Sequence, residues 1–290
     1  DLQEMGSQSD KYSAYWLNFD FNPKAGMPSS GSEYGNNHYG GEHSEHGTHV
    51  AGIIAATREN NIGAQGVAYG SAEIMVLRAV PDGDERDLDV ANALRYAADN
   101  GANIINMSFG KGISPSKKLV YDAMEYAATK NVLIIHAAGN DSEDIDVTDN
   151  YPNDDGLDDA GKKSFLCIGA TSPTKGKKLL ASFSNYGNES VALFAPGEDI
   201  YSTLPGNKYG YRSGTSMAAP VASGAAALVW SLHPELTAIE LQELLINSAT
   251  DLGDKKVLIP GQKSKESFQN LCKSGSVINA FSALQQVPKI

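Results

Sequence analysis

The chain has 290 residues, of which 41% are hydrophobic and 20% charged, and its 23 basic and 35 acidic residues give a net charge of −12. This size and composition indicate a globular protein with one large domain or two small ones, and the acidic surplus argues against nucleic acid or an anionic membrane as a partner. No apolar run reaches the roughly 20 residues that a membrane-spanning helix needs. The apolar run around Cys167 favours a buried free thiol over a bridge to Cys272.

Strands and helices alternate along the first half of the chain. Asn100-Gly101 is a typical helix end, and Ser114-Pro115 is a typical helix start, with the serine as cap and the proline in the first turn. Residues 131–140 show no polar alternation, which predicts a strand buried on both faces. The predicted order is strand 13–20, loop 22–45, helix 46–57, strand 72–80, helix 88–100, strand 102–110, helix 114–130 and strand 131–140.

The second half continues this alternation. Residues 216–232 carry Ala, Gly and Val on all sides, which predicts a central buried helix, and Thr237 with Glu240 predicts a capping box. The predicted order is strand 165–171, strand 190–197, helix 216–232, helix 237–252 and helix 277–286. The pattern predicts an α/β fold of three layers, with a mostly parallel central sheet and helices on both faces. The sequence has no internal repeat or linker, so residues 1–290 are interpreted as one domain.

Three short segments end predicted strands or open a predicted helix, which is where sites form in parallel sheets. They are SFG at 108–110, HAAGN at 136–140 and SGTSMAAP at 213–220. A serine at the start of a buried helix has an exposed hydroxyl and an amide that no helical bond uses, so an oxyanion could bind there. Taken alone, Ser216 could equally be an ordinary helix cap.

Longer motifs carry a family resemblance. HGTHVAGIIAA (46–56), AAGN (137–140) and GTSMAAP (214–220) resemble the subtilases, the subtilisin-like serine peptidases, and they stand in the family's order. PDGDERD (81–87) and NMSFGK resemble extracytoplasmic subtilases of the Bacteroidetes type. The resemblance implies a subtilisin-like fold, a serine endopeptidase, and a secreted, periplasmic or cell-surface location. Four further motifs carry the same family resemblance: INMSFG (105–110), NNIGAQGVA (60–68), FSNYG (183–187) and LFAPG (193–197).

The resemblance implies a role for each motif residue. His46 is the base, Ser216 is the nucleophile, and Asn140 donates its side-chain amide to the oxyanion. A neutral imidazole can accept the serine proton, and a serine is a poor nucleophile without such a base. The expected partner is a protein or peptide substrate, with the chain's own N-terminal segment or a propeptide as a further candidate, and the chemistry requires no cofactor. The segment expected to pair with the substrate backbone as an added strand comprises Ser108, Phe109 and Gly110.

The stretch EHSEHGTHVAG (42–52) contains three histidines that the resemblance separates. His46 is the base, His49 packs behind it, and His43 lies in an exposed loop. A zinc site built from all three is the alternative, but metallopeptidase helices use H-E-x-x-H, which this stretch lacks. No metal ligand is therefore assigned. His136, at the end of a predicted buried strand, is either a core histidine or a pocket wall.

The acid of the triad is not evident in the sequence. The family's order is Asp, His, Ser, and the aspartate should end an apolar strand and precede Ser or Thr and then Gly. Asp1, Asp10 and Asp20 lack this context, although Asp20 ends the run YWLNFD. We expect the acid's strand to lie before the first residue, in a chain that is N-terminally truncated or processed. Since loss of the acid costs about four orders of magnitude in rate, an inactive subtilase that still binds peptides is the alternative function.

Two loops bear on metal binding and substrate choice. RENNIGAQG (58–66), which contains Asn60, resembles a subtilase calcium loop, so a structural calcium is a candidate ligand. Residues 141–159 carry nine carboxylates without EF-hand spacing, which predicts a solvated loop rather than a second calcium site. The family's primary pocket implies an apolar or aromatic preference, whereas the acidic loop after Asn140 predicts a mild preference for basic flanking residues.

Overall fold

The structure is a computed structural model that describes residues 15–16, 44–80 and 85–287. Its helices are α1 (Glu45–Ala55), α2 (Asp87–Asp99), α3 (Lys117–Thr129), α4 (Asp159–Lys162), α5 (Thr215–Leu232), α6 (Ala238–Asn247) and α7 (Ala280–Gln286). Its strands are β1 (Tyr15–Trp16), β2 (Leu77–Arg78), β3 (Ile104–Met107), β4 (Leu133–Ala137), β5 (Phe165–Thr171), β6 (Leu193–Pro196), β7 (Ile200–Leu204), β8 (Lys208–Arg212), β9 (Thr250–Asp251), β10 (Lys256–Leu258), β11 (Lys265–Ser267) and β12 (Ser276–Val277).

A six-stranded sheet forms the centre of the fold, in the order β3-β4-β5-β6-β12-β9. Its first five strands pair in parallel, and β9 joins the edge in antiparallel orientation. Three shorter two-stranded pairs lie outside it: β1 with β2, β7 with β8, and β10 with β11. The prediction of a mostly parallel α/β sheet is confirmed.

Both faces of this sheet are covered by helices. Ile134 of β4 belongs to an apolar cluster that includes residues of α2 and α3. Its neighbours Leu133 and Ile135 belong to a second cluster, with residues of α5, α6 and α7. Because successive side chains of a strand point to opposite faces, the two clusters lie on opposite sides of the sheet. Every residue of β4 is buried, including His136, as the lack of polar alternation in residues 131–140 predicts.

Helix α5 is a core helix. Its length and its mean hydropathy of 1.3 would allow it to cross a membrane, but 67% of it is buried inside the protein. Pro220 is the sixth residue of α5, and because it lacks an amide hydrogen it cannot donate to the carbonyl of Ser216. Cys167 and Cys272 are both buried and both free, which confirms the free-thiol interpretation.

Several predicted boundaries differ from those observed. The strand predicted over 72–80 contains only β2. Helix α3 begins at Lys117 because the hydroxyl of Ser114 donates to Asp87 at 2.7 Å instead of capping the helix. The predicted helix 237–252 has the expected capping box at Thr237 but ends at Asn247. The last helix starts at Ala280, and the hairpin of β7 and β8 was not predicted.

Candidate active site

The first turn of α5 presents Ser216 at the carboxyl edge of the sheet. Gly214 precedes the helix, and its carbonyl accepts the first helical hydrogen bonds from the amides of Met217 and Ala218. The amide of Ser216 therefore lies before the first helical bonds, among the donors that a helix start leaves unpaired. Ser216 is half-buried and makes no cap bond, so it is not the helix cap that its sequence position allowed.

Ser108 and Ser216 are joined by two hydrogen bonds. The hydroxyl of Ser108 donates to the carbonyl of Ser216 at 2.9 Å, and the hydroxyl of Ser216 donates to the carbonyl of Ser108 at 3.3 Å. Asn106 on β3 extends this connection, since its amide donates to the Ser108 hydroxyl and its oxygen accepts from Ser223 on α5, each at 2.9 Å. The end of β3 is thus hydrogen-bonded to α5 at two places, Ser216 and Ser223.

Asn140 follows β4 and is oriented by Thr215. Its Oδ1 accepts from the amide of Thr215 at 2.8 Å and from the Thr215 hydroxyl at 3.1 Å. The same hydroxyl accepts from the amide of Gly139 at 3.0 Å. Because Oδ1 faces these two donors, the Nδ2 group of Asn140 is the end that remains free to donate. Asn140 is exposed, so this donor is accessible to a ligand.

The turn between β4 and Asn140 requires a glycine. Gly139 has φ +101°, and a Cβ at this position would lie 2.3 Å from Nδ2 of Asn185. Asn185 is 1% exposed and holds the turn from inside: its Nδ2 donates to the carbonyl of Ala138 at 3.0 Å, and its Oδ1 accepts from the amide of Asp141 at 2.9 Å. The position of Asn140 is therefore fixed by buried hydrogen bonds on both sides.

A cleft of about 660 Å³ opens beside these groups. Ser216, Thr215 and Asn140 line one end of it, and Phe109 and Gly110 line a wall. The structure thus brings the proposed nucleophile, the proposed oxyanion donor and the proposed substrate-pairing segment to one cleft.

His46 lies in the first turn of α1, which packs against α5 and β7. The packing on β7 is close, since a Cβ at Gly52 would lie 2.2 Å from Oγ1 of Thr203. A Cβ at Gly47, by contrast, would meet no described atom within 4 Å, as expected if a substrate backbone passes there.

The surroundings of His46 favour its neutral form. His46 is exposed, yet the protein on one side of its ring removes water, and this desolvation lowers its pKa from 6.5. The positive charges of Arg212 and His49 lower the pKa further. Glu45 forms an ion pair with Arg212, which reduces the field of that guanidinium. A neutral imidazole at pH 7 can accept a proton.

Two other described histidines, His49 and His136, are buried and have structural positions. His49 is 0% exposed, and its Nε2 contacts the carbonyl of Gly210 at 3.1 Å, in agreement with its predicted packing role. His136 on β4 is 1% exposed and donates from Nε2 to the carbonyl of Phe109 at 2.7 Å. Desolvation lowers the pKa of His136 to about 4, so it stays neutral and supports the segment that lines the cleft.

Lys111 anchors the end of the segment that begins at Ser108. Its Nζ lies 2.7 Å from Oδ1 of Asp87 and donates to the carbonyl of Glu85 at 2.6 Å. Asp87 also accepts from the Ser114 hydroxyl. Desolvation raises the pKa of Asp87, but the hydrogen bonds and the charge of Lys111 outweigh it and lower the pKa below 3.8.

Two expected contacts of His46 are not present. No hydrogen bond joins His46 to Ser216, and within 44–80 and 85–287 no carboxylate is bonded to His46. The candidate acid Asp20 lies outside the described residues, as does His43. The structure therefore places His46 and Ser216 on packed helices without linking their side chains.

The described part of the chain contains no group of three or more His, Cys, Asp or Glu side chains suited to a metal ion. In the loop 58–66, Oδ1 of Asn60 accepts from the amide of Ile62 at 3.2 Å. Calcium needs six to eight oxygen ligands, and this loop offers Glu59 as its one carboxylate. Calcium at this loop stays a prediction, and no chemical step depends on it.

Three residues that support the site were not singled out from the sequence. Thr215 orients Asn140, Asn185 fixes the turn at Gly139, and Lys111 anchors the cleft wall. Thr215 and Asn185 stand inside the motifs GTSMAAP and FSNYG, so the motifs themselves were the available signal. The role of Lys111 depends on a contact with Asp87 that no local pattern indicates.

The chain is similar to known proteins over most of its length. The model of the Subtilase family, Peptidase_S8, matches residues 7–259. Subtilisin DY of Bacillus licheniformis is 37% identical over 210 residues, which are 72% of this chain and 72% of that protein. The cell wall-associated protease of Bacillus subtilis is 38% identical over 213 residues, and these span 73% of this chain but only 22% of that protein.

Solved structures are similar as well. A cold-adapted subtilisin-like serine proteinase superposes with a TM-score of 0.62 at 30% identity, covering 79% of this chain and 74% of that one. A protease from Pseudoalteromonas arctica gives a TM-score of 0.64 at 27% identity, and the match covers 83% of this chain and 70% of that one. The likeness therefore extends over most of the chain.

Proposed function

This chain belongs to the subtilase family, and from that premise we propose that it hydrolyses peptide bonds as a serine endopeptidase through Ser216, His46 and Asn140. The observation that carries the proposal is the cleft at which Ser216 meets the free amide end of Asn140. A nucleophile and an oxyanion donor at one cleft are what acyl transfer requires.

In the first step, the Ser216 hydroxyl attacks the carbonyl carbon of the peptide bond while His46 accepts its proton. The hydroxyl turns from the Ser108 carbonyl, a contact of 3.3 Å that is long for an O–H donor. The oxyanion that forms accepts from Nδ2 of Asn140 and from the Ser216 amide, assisted by the positive end of α5.

In the second step, His46 gives its proton to the leaving amine, and the carbon–nitrogen bond breaks to leave an acyl ester on Ser216. Water then attacks this ester while His46 accepts its proton, and the ester bond breaks as His46 returns that proton to the Ser216 oxygen, which releases the acid product. The segment Ser108, Phe109 and Gly110 holds the substrate backbone as an added strand, and Lys111 and His136 fix that segment from behind.

We assign the acid of the triad to a position outside residues 44–80 and 85–287. An aspartate there would orient His46 and stabilise its imidazolium. The alternative function is peptide binding without hydrolysis, favoured by the bond from Ser216 to Ser108. We further propose a location outside the cytoplasm, supported by similarity to a protein named as cell wall-associated.

The test is hydrolysis of an unstructured protein such as casein by the natural gene product that contains this chain. We expect activity that Ser216→Ala and His46→Ala each reduce by several orders of magnitude. Ser231→Ala at the other end of α5 and His233→Ala just after it are the matched controls and should retain full activity. A folded gene product without activity would overturn the peptidase proposal in favour of peptide binding.

A further inference from the structure

The cleft beside Ser216 must receive a substrate side chain, if the proposed function holds. When the scissile carbonyl lies between Ser216 and Asn140, the residue that carries this carbonyl is the one next to the cleft. The volume of about 660 Å³ is large enough for a long side chain. The groups that line the cleft then determine which side chain is preferred.

The charge of this lining is strongly negative. Asp141, Glu143 and Asp149 all line the cleft, and Lys111 is the one cationic residue among the described lining groups. The Nζ of Lys111 is already committed to Asp87, at 2.7 Å and with only 13% of the lysine side chain exposed. None of the three lining carboxylates forms an ion pair with a cation in the described ranges. The cleft therefore presents three carboxylates without a close ion pair, of which Asp149 interacts at longer range with Lys117.

The backbones that carry these carboxylates are held in place. The amides of Asp141 and Glu143 both donate to Oδ1 of the buried Asn185, at 2.9 and 3.0 Å. On the facing side, Nδ2 of Asn150 donates to the carbonyl of Ala138 at 2.9 Å, next to Asp149. A substrate cation would meet charges already arranged around the cleft, so little ordering of the loop opposes its binding.

Apolar groups line the path to these charges. Phe109, Ile113 and Ala137 share the lining with the carboxylates, and Ile113 is 78% exposed. The methylene stem of a lysine or arginine packs on such surface while its charged end stays in a polar, hydrated region. An aliphatic or aromatic side chain would satisfy the apolar part and would leave the carboxylates without a partner.

We propose that this cleft selects lysine or arginine as the residue whose carbonyl Ser216 attacks, with Asp141, Glu143 and Asp149 as the specificity-determining residues. The inference rests on the proposed function, and it departs from the apolar preference that the family resemblance implies. Each partly hydrated ion pair contributes about a two- to fivefold preference, and at the lower end of this range three carboxylates together give about tenfold.

The experiment compares matched peptides that differ only in this residue, as Lys, Arg, Leu, Phe or Glu, cleaved by the natural gene product. We expect kcat/KM for Lys and Arg to exceed that for Leu by about tenfold, with Glu the poorest. The preference should shrink as salt rises from about 0.05 to about 0.5 M, because the carboxylates are exposed to solvent.

Charge-removing variants test the named residues. Asp149→Asn and Glu143→Gln should each lower the Lys-to-Leu ratio of kcat/KM about two- to fivefold. Asp155→Asn removes the same charge from the same acidic loop outside the cleft, and it should not change the ratio. A preference for Leu or Phe in the wild type, or a ratio that Asp155→Asn lowers as much as Asp149→Asn, would overturn the inference.

A binding measurement separates this inference from the proposed function. Ser216→Ala should bind a peptide acid that ends in arginine more tightly than the same peptide ending in leucine, by about the same tenfold factor. If binding shows this order but wild-type protein cleaves nothing, the peptidase proposal fails and the specificity of the cleft stands. If cleavage occurs without preference and binding is equal, the specificity inference fails and the peptidase proposal stands.

Discussion

Substitution of Asp87 by asparagine tests the anchor behind the cleft wall. The side chains of Lys111 and Asp87 are 13% and 7% exposed, and Asp87 also accepts from the Ser114 hydroxyl and the Ser116 amide, each at 2.7 Å. Removing one partner of a buried ion pair costs about 3–5 kcal/mol. The introduced amide would keep one acceptor oxygen, and the Glu85 carbonyl would still accept from Lys111. We therefore expect a loss at the low end of that range, about 3 kcal/mol.

The assay is urea unfolding followed by tryptophan fluorescence, in the Ser216→Ala background to prevent self-cleavage. The matched control is Asp122→Asn, which breaks an exposed i,i+4 pair with Lys118 and should cost at most about 0.5 kcal/mol. Because folding lowers the pKa of Asp87, its contribution is full above pH 3.8 and is lost as the pH falls through the lower folded value. The anchor role would be refuted if Asp87→Asn and Asp122→Asn lowered the free energy of unfolding equally. It would also be refuted if the difference between them persisted below the folded-state pKa of Asp87.

Three further outcomes follow from the site. Asn140→Ala should lower kcat about 10²–10³-fold with little change in KM, a magnitude known for this class of enzyme; a larger effect on KM would argue against an oxyanion role. Arg212→Gln should raise the pKa of His46 and shift the acidic limb of the kcat/KM profile to higher pH, and an unchanged limb would contradict this. Gly139→Ala should lower both activity and melting temperature, because φ +101° and Asn185 exclude a Cβ; wild-type melting would count against it.

The parts of the fold that follow from local pattern were predictable. The buried strand β4 and the capping box of α6 depend on residues close in the sequence, and both occur as expected. The start of α3 was not predictable in this way. Ser114 would cap the helix if it acted alone, but its hydroxyl is used by Asp87, 27 residues away. Long-range partners of this kind decide between two locally acceptable boundaries.

The hairpin of β7 and β8 was missed although it has a signal. Gly206 and Asn207 both have positive φ, at 74° and 56°, as a tight turn requires, and aromatic residues flank them. At the last helix, Asn279 accepts from the amide of Ser282, and Val277 pairs with Phe194 of β6. The predicted helix therefore loses its first residues to the sheet, which apolar periodicity could not indicate.

The candidate site was predictable in its motif residues and not in their support. Ser216 and Asn140 come together at one cleft, as their place at the carboxyl edge of the sheet predicts. The orientation of Asn140 depends on Thr215, and that of the turn depends on Asn185, which bonds to Ala138 across 47 positions of the chain. The acid expected to orient His46 stays a prediction.

Labelling with a fluorophosphonate probe tests the central claim most directly, because the probe reacts with a serine only when its hydroxyl is activated. The natural gene product would be treated with the probe, digested and mapped by mass spectrometry. We predict modification at Ser216 that is lost in His46→Ala and retained in His233→Ala. A folded gene product in which Ser216 stays unmodified, or is modified equally without His46, would contradict the proposed roles of these two residues.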